Sequence, residues 1–122
     1  MLKIPKLAFE PVRKVLQSDP SGETYVVIKP ATMVEEARRL QILSEMEQPV
    51  LNIHVLATEL YLTLQECNIL GEDEKPFLDT NLSLEEFIER LTALWRFNPA
   101  VIQELQETVY QANPQWRPEG NP

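Results

Sequence analysis

His54 and Cys67 are the one histidine and the one cysteine in this chain, and between them they hold most of its capacity for acid-base or nucleophilic chemistry. His54 sits between Ile53 and Val55, and Cys67 is a distant sequence neighbour. A Cys-His nucleophile needs the two within hydrogen-bond reach and a third group to orient the base. No such third group accompanies them, so His54 is read as a structural histidine and Cys67 as a small hydrophobe. One Cys and one His cannot build a zinc shell. The run Glu72-Asp73-Glu74 lacks the alternating oxygen ligands and central glycine of a calcium loop, and it is read as solvated. Glu85, Glu86 and Glu89 fall in the first turns of a predicted helix, where they favour the positive end of its dipole. Three scattered glycines form no GxGxxG, P-loop or GxSxG pattern. The expectation is a protein without catalytic residues, cofactor or metal.

Large aromatic side chains offer a different chemistry, that of partner contact. Trp95 and Phe97 lie at a predicted helix corner, and Trp116 lies just beyond the following helix. These three are the candidate partner-binding residues. Trp95 is also in phase with Phe87, Leu91 and Leu94, which reads as core. For Trp116 the two readings stand level.

The elements that must position these residues are marked by ten prolines and two capping boxes. Residues 11–16 and 24–29 are β-rich runs flanking Ser18-Asp19-Pro20-Ser21-Gly22, which predicts a β-hairpin. Thr32 followed by Glu35 opens a helix over about 33–47, with Met33, Ala37, Leu40 and Leu43 on its apolar side. Residues 52–70 are ambiguous: Leu56, Leu60, Leu64 and Cys67 fit a helix, while Leu60 to Gln65 alternates like a strand. Length and the presence of Glu59, Gln65 and Glu66 favour helix. Ser83 and Glu86 open a helix over about 84–95, and Asn98-Pro99 supplies the N-cap and first turn of another over about 99–111. The expected fold is α+β, an N-terminal hairpin packed against a mainly helical body with a C-terminal αα-hairpin. One domain covers 1–116, and 117–122 reads as a disordered tail.

Charge narrows the partners. The formal net charge is -8, composed of +2 over residues 1–30 and -10 over the rest. Nucleic acid and anionic membrane are disfavoured as partners. A cationic first quarter can instead lie against an acidic body, of the same chain or of a neighbour. No stretch approaches a membrane span or a signal-peptide h-region, and a lone cysteine suits a reducing compartment, so a cytoplasmic protein is expected.

The pattern Leu84-Glu85-Glu86-Phe87-Ile88, Leu94-Trp95, Asn98-Pro99-Ala100-Val101-Ile102-Gln103-Glu104-Leu105, Val109 and Asn113-Pro114-Gln115-Trp116 resembles the tail assembly chaperones of long-tailed bacteriophages. The stretch from Tyr25 to Leu43 is also similar to small proteins of phage tail gene clusters. Together these cover about half the chain. The resemblance implies a non-enzymatic protein of the host cytoplasm that binds the tape measure protein and keeps it soluble while tail-tube protein is recruited. A structural tail component or connector of the virion is the alternative it implies. Apolar surface meant for a client commonly buries itself in self-association when the client is absent, so a homo-oligomer with a mainly apolar interface is expected.

Overall fold

The computed structural model describes residues 1–118, so the tail expected over 117–122 lies, from residue 119 onward, outside the described residues. Three short antiparallel strands and four helices form an α+β fold, with the expected N-terminal hairpin and C-terminal helix pair in place. Strands β1 (Val12–Val15) and β2 (Tyr25–Ile28) pair in the register Val12 to Ile28 and Val15 to Tyr25. Their connection is built by Asp19, whose carboxylate accepts from the Ser21 N–H at 3.0 Å, the Ser21 hydroxyl at 2.7 Å and the Thr24 hydroxyl at 2.6 Å. Gly22, at φ 71°, supplies the left-handed residue of that turn. Val26 and Ile28 point to the same side of β2, and both are fully buried.

Helix α1 (Met33–Glu45) begins with the expected capping box, Thr32 and Glu35 each bonding the other's backbone N–H. The side it turns inward is not the expected one. None of its residues is buried, and Met33, Val34 and Leu40 are 83%, 78% and 56% exposed. Glu35, Glu36 and Arg39 face the body instead, and their ion pairs outcompete weak apolar contact for that face.

Helix α2 (Asn52–Thr63) is the centre of the molecule, buried on several sides from Leu56 to Thr63. The expectation of helix through residue 70 is corrected here: the chain turns directly into β3 (Leu64–Cys67), the third strand of the sheet. The terminal carbonyl of Thr63, orphaned by the helix end, accepts the Lys29 N–H at 2.9 Å. Pairing with β2 thus decides between two periods that coexist in the sequence. The hydroxyls of Thr58 and Thr63 are buried but return to the carbonyls of His54 and Glu59, which lets polar residues occupy a core helix.

Helices α3 (Leu84–Phe97) and α4 (Pro99–Ala112) make the αα-hairpin. Phe87, Leu91 and Leu94 are buried from α3, and Val101, Leu105 and Val109 from α4, in the half-buried stripes expected of them. Their caps are plainer than expected. The Ser83 hydroxyl accepts the Glu86 N–H at 3.2 Å, the hydroxyl half of a box, and Asn98 caps α4 without a side-chain bond. Asn113 closes the fold: wholly buried, it accepts the Ala31 N–H at 2.7 Å and donates to the Lys29 carbonyl at 3.1 Å, tying α4 to the segment between sheet and α1.

Candidate functional site

His54 and Cys67 do not form a pair. His54 lies in the first turns of α2 and borders a cleft with Met46, Glu47 and Ile88, whereas Cys67 lies at the end of β3 beside Tyr25, Leu64 and Leu78. From His54 to the end of α2 the helix rises about 14 Å, which places the two residues in separate regions. Burial pushes the Cys67 thiol up, away from the thiolate that nucleophilic chemistry requires. Glu72, Asp73 and Glu74 are exposed in a turn where the Gly71 N–H donates to the Lys75 carbonyl at 2.9 Å and the Glu74 N–H to the Gly71 carbonyl at 3.0 Å. Among the described residues no group of three His, Cys, Asp or Glu side chains is placed to hold a metal ion, and no helix is long and apolar enough to cross a membrane.

The aromatic candidates separate. Phe97, in the last position of α3, is 86% exposed, and Trp95 is 49% exposed. The expectation of Trp95 as core is therefore corrected. Leu94 occupies the buried stripe, and the next residue stands about 100° further round the helix, at the rim. Trp116 goes the other way and is 5% exposed. Its indole N–H donates to the Glu36 carboxylate, and the Arg39 guanidinium lies over its ring at 5.0 Å. Trp116 therefore belongs to the core, while Trp95 and Phe97 form an exposed corner.

Beside that corner runs a groove. Ile53 and Leu56 of α2, Trp95 of α3 and Ile102 of α4 enclose about 260 Å³ of mainly apolar space. Asn52 and Gln106 continue it into a second cleft of about 570 Å³, where Glu107 and Tyr110 of α4 face Arg39 of α1. α2 packs against both α3 and α4, which Asn98-Pro99 joins, so the walls of the groove come from three helices.

Sequence reasoning missed the charged group at the centre of the helical body. Glu59, on α2, is 1% exposed; one carboxylate oxygen accepts the Arg39 Nε–H at 2.8 Å, and the other has no hydrogen-bond partner. Burial is the main cause that raises its pKa, with the Arg39 pairing opposing and the nearby Glu36 charge adding. The same burial, with Glu59 next in weight, raises the Tyr110 phenol. Arg39 also pairs with Glu36 at 3.4 Å, so a polar cluster of Glu59, Arg39, Glu36 and Trp116 joins α1 to the body. A single charge inside the apolar run Leu56 to Leu62 was its signal in the sequence.

This arrangement suits binding through apolar and aromatic surface, with charge held at its margin. No protein-family model, curated protein or solved structure matches the chain.

Proposed function

We propose that this protein is a non-enzymatic tail assembly chaperone that holds apolar segments of the tape measure protein in the host cytoplasm while tail-tube protein is recruited. The observation that carries the reading is the exposed corner of Trp95 and Phe97 beside the Ile53-Leu56-Ile102 groove. Aromatic anchors next to an apolar cleft are the elements from which protein-binding hot spots are made. The resemblance of the αα-hairpin to phage tail chaperones supplies the identity of the client. A net charge of -8 supports the same reading, because a carrier of apolar segments must itself resist aggregation.

The test is co-expression with the tape measure protein of its own gene cluster. The reading requires that the client become soluble and co-purify with this chain, and that Trp95→Ser with Phe97→Ser abolish both effects while the fold persists. The chain should also be missing from purified particles. Its retention there at fixed stoichiometry would instead establish the connector reading.

A further inference from the structure

Helix α1 meets the body through charge. Helices α3 and α4 bury apolar stripes, through residues such as Leu91 and Leu105, whereas α1 buries no residue and leaves Met33, Val34 and Leu40 in solvent. Its apolar contribution to the contact is limited to Ile42 and Leu43, both half-buried. The grip is made at Arg39, which donates to Glu59, pairs with Glu36 and lies over the Trp116 ring, while the Trp116 indole N–H donates to Glu36.

A buried ion pair holds weakly, because desolvation of the two charges offsets most of their attraction. Glu59 bears that cost: it is wholly buried, and its second carboxylate oxygen has no hydrogen-bond partner among the described residues. Returning it to water would satisfy that oxygen. Glu59 follows Asn52 and Val55 along one side of α2, and those two line the cleft that already runs between α1, α2 and α4. Both ends of α1 are placed to pivot. The Asn113 side chain anchors the chain at Ala31, just before the Thr32 cap, and the exposed residues 47–49 lead on to α2. The Lys29–Glu35 pair lies at the first pivot and joins α1 to the chain before it, not to α2.

We propose that α1 is a flap that lifts off α2 as a unit, between Ala31 and residues 47–49, and uncovers Val55, Glu59 and Trp116. The cleft of about 570 Å³ then loses its Arg39 wall. Asn52 and Gln106 line both this cleft and the Trp95 groove, so the opened cleft extends the groove. The flap thus sets how long a surface the protein offers, whatever the identity of the client. Opening is also linked to the Glu59 proton. Arg39 and Glu36 face this carboxylate from α1 and Tyr110 from α4, with Arg117 over the Tyr110 ring. Burial raises the pKa of Glu59 in the closed form above that of a solvated carboxyl. Acid therefore favours the closed form, and opening grows as pH rises through the raised value.

Residue-resolved hydrogen exchange by NMR on the full-length chain tests this. In the natural chain at neutral pH, α1 amides beyond the first turn should be protected at least about tenfold less than those of α2, α3 and α4. The Trp116 indole N–H, which is bonded to α1, should exchange with the α1 amides and not with the body. Neither readout needs a substitution. Lowering the pH should raise the protection of α1 relative to the body. Glu59→Gln keeps the shape of the side chain without its charge, so it should raise α1 protection at neutral pH and remove the pH dependence. Arg39→Met with Glu59→Met replaces the polar grip by apolar contact and should bring α1 protection close to that of the body. The proposal is overturned if α1 is as protected as α2, or if the Trp116 indole exchanges with the body. It is equally overturned if Glu59→Gln leaves α1 opening unchanged, or if the well-folded double variant opens as readily as the natural chain.

Discussion

Glu104, midway along α4, holds the end of the first strand's excursion through Ser18: its carboxylate accepts the Ser18 N–H at 2.9 Å and the Ser18 hydroxyl, and its other oxygen accepts the Gln17 N–H at 2.7 Å. A single side chain thus fastens the hairpin to the helical body. Burial alone would raise the Glu104 pKa, but the Ser18 and Gln17 hydrogen bonds outweigh it and hold the carboxyl below its ordinary value. Replacing Glu104 by alanine should cost about 1–3 kcal/mol of stability at neutral pH, measured by urea unfolding.

The pH dependence of that contribution has a definite sign. Because the folded-state pKa lies below the unfolded one, the Glu104 contribution is present above the ordinary value of 4.5 and is lost as pH falls through the lowered one. The natural chain should therefore lose its advantage over Glu104→Gln on acidification. An advantage that grew with acid would show that the carboxylate is not the acceptor these bonds require.

Glu59 should behave in the opposite way. Its folded-state pKa is raised, so its stabilising protonated form is fully present below 4.5 and is lost as pH rises through the raised value. Glu59→Gln keeps the shape without the buried charge, and it should match the natural chain in acid and equal or exceed it in thermal stability at neutral pH. Glu59→Ala removes the buried acceptor of the Arg39 Nε–H, leaving that guanidinium with Glu36 alone, and empties the space its side chain fills, and it should cost about 3 kcal/mol.

Alanine at His54 or Cys67 should leave client binding unchanged, apart from any loss of folding. The two line different clefts, and neither borders the Trp95 groove. A well-folded variant that lost a turnover activity would overturn the non-enzymatic reading.

Self-association should persist as salt rises. The exposed Trp95 and Phe97 make a mainly apolar contact the expected one, and screening relieves repulsion between acidic bodies without removing it. Light scattering across ionic strength checks this, and dissociation in salt would contradict it.

Local chemistry was enough to place most elements in advance. The hairpin follows from Asp19, Ser21 and Gly22, the start of α1 from Thr32 with Glu35, and the αα-hairpin from Ser83 and Asn98-Pro99 with apolar stripes between them. Capping, turn geometry and helical phase act within a few residues, so one segment's own sequence contains the information. Tertiary structure decided the rest. Leu64 to Cys67 became strand because β2 offered an edge and Lys29 took the Thr63 carbonyl, neither of which is visible in a window around residue 64. Periodicity named an apolar side for α1, but Arg39 and Glu36 turned the helix to reach Glu59 and Trp116, elements that lie far along the chain. The same long-range pairing buried Trp116, while the one-residue step from Leu94 left Trp95 at the rim. Which of several aromatic or apolar residues meets solvent depends on what packs beside it, and that partner is chosen only when distant segments compete for the same space.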